Sequence, residues 1–287
     1  LHLMCTCMRA CRAVWSMLSS RASMSHRLQV VASLLLVIRS MPVPLDSQGL
    51  LGCCDLLVHL AGLLQDELEA PGEEGHREEE HKVGIRSAEP VFRQIAGLAL
   101  DLHSAAMASS TTAGGTVTVS ESLVEARALL STVWKSYVAF LCGTGLLSTD
   151  HLPILQSITL ICCDFLQIST TTSRDGGGEG KVQMQVTTST SLNRALFSLL
   201  LALMQLQHLS LSANNGPNPN AILLDEACIH AVTHILLVAL VIKQCASERD
   251  AVLEILRAVF IIYGKAQSVS LLVKALQVEP RVIPVSH

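Results

Sequence analysis

Aromatic residues make up only 3% of the 287-residue chain and charged residues only 15%, against the roughly 25% charged residues usual in soluble domains. With so few rings, an aromatic-anchored β-sandwich is disfavoured, and the core must be filled by Leu, Val, Ile and Ala. No clustered basic stretch is present, and the net charge is −4. A phosphate backbone needs a concentrated cationic surface, so nothing in the charge distribution calls for nucleic acid. Long apolar runs are also missing, although mean hydropathy is high at +0.46. A spanning helix needs about 20 apolar residues in succession. Leu28 to Ile38 is closed by Arg27 and Arg39, Ala195 to Leu206 runs into Gln205, Gln207 and His208, and Ile235 to Ile242 ends at Lys243. A membrane span is therefore not expected.

Recognisable catalytic motifs are absent too. The chain has no GxSxG elbow, no HExxH helix and no EF-hand loop, each of which depends on fixed spacing to bring nucleophile, metal ligand or carboxylate together. It has no Asn-x-Ser/Thr glycosylation acceptor either. Its ten cysteines fall largely within apolar helical runs, among them Cys142, Cys162, Cys163, Cys228 and Cys245. The neighbours Cys53-Cys54 and Cys162-Cys163 project to different sides of a helix and cannot readily bridge to each other. Buried free thiols in a reducing compartment are the simpler expectation, placing the chain inside the cell, in cytoplasm or nucleus. A chain that begins with Leu1 reads as a segment of a larger protein.

What is present is helical periodicity. Apolar residues recur at helical spacing over Leu3 to Ser19, Ser25 to Met41, and from Asp46 through "DSQGLLGCCDLLVHLAGLLQDELE". Ser87 to Ser109 forms a further run with Pro90 in its first turn, where a missing N–H costs little. Ser122-x-x-Glu125 matches a capping box opening a helix to about Cys142, terminated by Gly143 and Gly145. Thr149 or Asp150 caps the next, with Pro153 in its first turn, running to about Ile168. Leu192 to Leu211, Ala221 to Cys245, a helix capped by Ser247-x-x-Asp250 through Tyr263, and Lys265 to Gln277 follow. In Glu248 to Tyr263, Asp250, Glu254 and Arg257 form one narrow polar stripe. Val252, Leu253, Ile255, Leu256, Val259, Phe260, Ile261 and Ile262 cover the rest, an arc wide enough to predict neighbours on more than one side. Strand signals are confined to the alternating segments Thr116 to Ser120 and Val182 to Val186, which could form a small hairpin.

Two segments interrupt the pattern. Residues 66–86 contain the acidic stretch "DELEAPGEEGHREEE", and residues 169–191 are rich in Ser, Thr and Gly; both are expected to be flexible loops. The predicted organisation is N-terminal helices over 1–65, an acidic loop over 66–86, helical repeats over 87–168, a polar loop over 169–191, helical repeats over 192–279 and a tail over 280–287.

The repeated texture of "LLVHLAGLL" (Leu56 to Leu64), "LLLALMQLQ" (Leu199 to Gln207) and "ILLVALVIK" (Ile235 to Lys243), with helix starts near Asp150 and Ser191 separated by close to the roughly 40–47 residues of a paired-helix repeat, resembles the HEAT/armadillo-like α-solenoids. The resemblance implies an all-α fold of stacked antiparallel helices in an irregular solenoid, and a scaffold that binds other proteins without catalysis, small-molecule substrate or cofactor.

Three constellations compete with that expectation by suggesting an enzyme, and a fourth suggests a metal knuckle. "RDGGGEGKV", Arg174 to Val182, imitates a phosphate cradle, but Asp175 stands where a P-loop needs its first Gly and Val182 where it needs Ser or Thr. Gly143-x-Gly145 with Asp164 downstream imitates a dinucleotide fingerprint but follows a helical pattern instead of a strand. Glu226, His230 and His234 lie at i, i+4 and i+8 on one helix face, where a pair of imidazoles can hold zinc, yet Asp225 and Thr233 extend the same stripe as an ordinary polar surface. His2, Cys5, Cys7 and Cys11 lack the second ligand pair of a zinc knuckle. A membrane-associated helical bundle is the remaining alternative.

Overall fold

The computed structural model describes residues 24–40, 47–69, 78–111, 121–166, 168–173, 181–186, 190–213, 226–241 and 249–261. The expected helix at Leu3 to Ser19, the cysteines at 5, 7 and 11, the alternating segment 116–120, the helix at 265–277 and the 280–287 tail lie outside the described residues. The chain divides into two compact units, Leu1–Leu146 and Leu147–His287. That boundary falls inside the 87–168 stretch that reads in sequence as one block of repeats.

The first unit is built from α1 (Met24–Arg39), α2 (Ser47–Glu69), α3 (Glu78–Thr111) and α4 (Glu121–Thr144). Helices α2, α3 and α4 pack against one another, and α1 packs on α3. Leu57, Leu60 and Leu64 of α2, Phe92 and Ile95 of α3, and Leu130, Trp134, Tyr137 and Leu141 of α4 are fully buried. Each such side chain contributes about 1.5–3 kcal/mol by leaving water. The rings of Phe92 and Phe140 stack at 4.5 Å with an interplanar angle of 13°, while Arg127 of α4 meets Met107 of α3. Low numbers of α3 thus face high numbers of α4, so the two helices run antiparallel.

Helix α3 differs from expectation at its start. It begins at Glu78 and places Pro90 in its interior, so residues 78–86 of the expected acidic loop are helical, as are 66–69 at the end of α2. Acidic residues at a helix N-terminus are favoured by the macrodipole, which is why "EEE" belongs to the helix here. Pro90 deprives the carbonyl of Arg86 of its partner; both residues are exposed, and water can take up that bond. Likewise α4 begins at Glu121, so Ser122 stands in its first turn and not ahead of it as the capping box requires. At the other end, Gly145 adopts φ +65° and its N–H donates to the Leu141 carbonyl at 3.0 Å, the left-handed cap expected of glycine.

The second unit opens with a 3₁₀ turn, Thr149–His151, in place of the direct helix start predicted at Thr149 or Asp150. It leads into α5 (Leu152–Phe165), with Pro153 in the first turn. Two strands follow, β1 (Ile168–Ser173) and β2 (Lys181–Val186), paired antiparallel from Ile168 opposite Val186 to Ser173 opposite Lys181. Residues 169–191, expected as a loop within an all-α chain, therefore hold a two-stranded hairpin and the start of the next helix. The helices are α6 (Thr190–Ala213), α7 (Glu226–Val241) and α8 (249–261). Helix α5 packs against both α6 and α7. Leu155, Ile158, Leu196, Leu200, Val232, Leu236 and Ile255 are buried.

On α8 the polar stripe of Asp250, Glu254 and Arg257 is exposed as expected. Val252, Ile255, Leu256 and Val259 are buried, whereas Leu253, Phe260 and Ile261 are exposed. The wide apolar arc is thus covered on one side, in contrast to the several neighbours its width predicts. Among the described residues, no helix is long and apolar enough to cross a membrane.

Candidate functional site

Polar side chains gather within the first unit along the seam between α3 and α4. On α3, Glu89, Arg93, His103 and Met107 share one face at spacings of four, ten and four residues; on α4, Arg127, Trp134 and Tyr137 do the same. Helical spacing lines these chemically unlike groups up as one row on each helix, and the antiparallel packing of α3 on α4 sets the two rows face to face.

At one level of the seam, Arg93 pairs with Glu89 at 3.5 Å, one turn apart on α3. Tyr137 lies fully buried opposite. Burial, and next the charge of Glu89, push its phenol well above the usual tyrosine range, with Arg93 opposing. The hydroxyl is consequently a neutral donor throughout the physiological range.

At the next level, the ring of His103 meets Trp134 edge-on, with centroids 6.4 Å apart and planes at 82°. The guanidinium of Arg127 reaches the thioether sulfur of Met107 at 3.3 Å. The Nδ1 of His103, the Nε of Arg127 and the indole Nε1 of Trp134 are each buried. Burial, and then the positive charge of Arg127, lower the pKa of His103 from 6.5 to about 4. The imidazole is therefore neutral at pH 7. Between the levels, buried Ser131 donates its hydroxyl to the Ala128 carbonyl at 2.7 Å, within its own helix.

The second unit buries a different chemistry. Cys162 and Cys163 of α5 and Cys228 of α7 are buried free thiols. The thiol of Cys228 lies 3.9 Å from the Gln156 carbonyl oxygen on α5. Burial is the main cause that raises the pKa of Cys162 and Cys163, with Asp164 and Cys228 adding to the effect at Cys163. Thr159 and Thr233, also buried, donate to the Leu155 and Ile229 carbonyls, each at 2.8 Å.

Of the residues that the sequence proposes for chemistry, only part lies among those described. His230 and His234 are half-buried on successive turns of α7, and the side chain of Glu226 is outside the described set. Among the described residues, no group of three His, Cys, Asp or Glu side chains is placed to hold a metal ion. Gly143 lies in the last turn of α4, and Gly145 forms its cap, so a helix stands where a dinucleotide fingerprint requires a strand. Lys181 begins β2, and 174–180 lie outside the described residues. Sequence reasoning missed the His103–Arg127–Trp134 group; its only trace was polar residues spaced by four or seven within otherwise apolar helices.

No protein-family model, no curated protein and no solved structure matches this chain. What can be stated of its class is that helices packed against each other make up nearly all of the described fold, which is compatible with a helical-repeat protein.

Proposed function

We propose that the chain is a non-catalytic scaffold for other proteins, a HEAT/armadillo-like segment of a larger intracellular protein. The observation that carries this reading is that large apolar side chains are left facing outward on packed helices of both units. Leu36 and Val37 on α1 are 66% and 55% exposed, and Leu253 and Ile261 on α8 are 53% and 61% exposed, with Phe260 beside them. Isolated exposed apolar residues are commonplace, but neighbouring ones on a rigid helix give partner helices something to cover. The buried free thiols in both units fit a reducing compartment.

The reading is tested by capturing partners on the immobilised chain and comparing it with Leu36→Asp/Val37→Asp and Leu253→Asp/Phe260→Asp. A protein retained in stoichiometric amount by the parent should fall by at least about tenfold on one of the two variants, since hot-spot truncations cost 2 kcal/mol or more, while helical circular dichroism is unchanged. Retention that is the same on both variants would remove the support these faces give to the reading.

A further inference from the structure

The most unusual arrangement in the molecule is a neutral imidazole held beside a permanent cation inside a helix–helix seam. His103 and Arg127 come from facing helices, and Trp134 closes the imidazole from the edge. A histidine that gains a proton here would place a second positive charge near that of Arg127 within a half-buried seam, against the Trp134 ring that meets it at 82°. Helix α3 is packed by α1, α2 and α4. Of the charged and titratable groups described on those helices, α1 carries His26, Arg27 and Arg39, α2 carries Cys53, Cys54, Asp55 and His59, and α4 carries Glu125, Arg127, Lys135, Tyr137 and Cys142, while α3 itself carries Arg86, Glu89, Arg93 and Asp101. Arg127 is the charge that acts on His103, and its effect opposes protonation.

We propose that the α3–α4 seam is a proton-sensitive latch, closed while His103 is neutral and loosened when His103 is protonated beside Arg127. This does not depend on the scaffold reading. The closed seam keeps Trp134, Tyr137 and Phe140 buried; loosening presents that aromatic row of α4 to solvent or to a partner. The proton balance is simple: the closed form binds no proton at His103 at neutral pH, and the open form takes up one from solvent. With a pKa of about 4 in the closed seam against 6.5 when open, full protonation lowers the closed-to-open ratio by at most about 300-fold. Solvent reaching the half-buried ring brings this nearer to about 30-fold.

The experiment follows the fluorescence of Trp134 in the full chain carrying Trp15→Phe, from pH 7.5 to 3.5, alongside NMR titration of the His103 ring. The expected result is a reversible red shift of Trp134 emission that begins below about pH 6.5 and coincides with proton uptake at His103, while far-ultraviolet circular dichroism stays helical. His103→Gln, which keeps a neutral polar side chain of similar size, should abolish this phase. An emission shift that is unchanged in His103→Gln would overturn the latch. So would protonation of His103 with no change at Trp134, a readout available in the parent even if the variant fails to fold.

Discussion

The two units differ in how far their buried polar groups reach across helices. In the second, the hydroxyls of Thr159 and Thr233 bond to carbonyls one turn back on their own helices, the thiols of Cys162 and Cys163 behave as small apolar groups, and Cys228 makes one weak contact across the helices, to the Gln156 carbonyl at 3.9 Å. Such residues place few demands on the facing helix. In the first unit the polar groups act between helices: His103 against Trp134, Arg127 onto Met107, and Tyr137 in the field of Glu89 and Arg93. Locally satisfied groups permit one helix to shift against another at little cost, whereas groups that rely on the opposite helix fix the register between them. The α3–α4 seam is thus the more specified contact and the more sensitive to conditions.

The largest expected effect tests that difference directly. Trp134→Ala removes the biggest fully buried side chain among the described residues and should cost about 3–5 kcal/mol, seen by hydrogen exchange as lost protection across α3 and α4. If protection in α5 and α7 falls equally, the two units do not respond separately and the contrast fails.

Next in size is the response to acid. The folded-state pKa of His103 is lowered, so its contribution is fully present above about 6.5 and is lost as pH falls toward about 4. Arg127→Met removes the nearby charge and should move the acid transition of the first unit to lower pH, measured by Trp134 emission. A transition displaced to higher pH would contradict the repulsion assigned to Arg127.

Thiol chemistry supplies the third comparison. Burial pushes Cys54 up to about 12 and raises Cys162 and Cys163 as well. Stability from these protonated thiols is fully present below about pH 9 and declines as pH rises through the folded values. Under native conditions at pH 8, Cys142, half-buried with a smaller rise, should react with a thiol probe at least about tenfold faster than Cys54, Cys162 or Cys163. Mass spectrometry of labelled peptides reads the order, and equal rates would show that these cores open together.

The smallest effect is expected from Thr233→Val and Thr159→Val. Each removes a hydroxyl bonded within its own helix and keeps the shape of the side chain, so denaturant midpoints should shift by no more than about 1 kcal/mol in stability. A loss of about 3 kcal/mol would mean that these hydroxyls also hold the α5–α7 contact, and the contrast between the seams would narrow.

The sequence makes most helices legible because period and punctuation agree. Pro153 marks the first turn of α5, Gly145 ends α4, and the apolar run from Leu192 lies within α6. It misleads where composition and position pull apart. Glu78, Glu79 and Glu80 read as an acidic loop on composition, yet at a helix start the same charges are stabilising. The hairpin was half visible: Val182, Met184 and Val186 alternate with glutamines, but "ISTTTS" opposite them has no alternation, and its pairing is a tertiary fact. The seam was the least visible part, because His103, Arg127 and Trp134 are separated by 24 residues and then seven. Only the antiparallel packing of two helices brings them together.

Pro90 has a consequence for how α3 behaves in time. A ladder of successive N–H to carbonyl bonds transmits cooperativity along a helix, and a proline in its interior leaves out one rung. Before it lie three turns, Glu78 to Glu89, in which Val83, Arg86 and Ser87 are exposed; after it come the buried Val91, Phe92, Ile95 and Ala96. Helix α3 is therefore one rod in shape but two segments in kinetics. Amides ahead of the buried Ala88 should exchange through local fraying, and those beyond Pro90 only when the packed core opens.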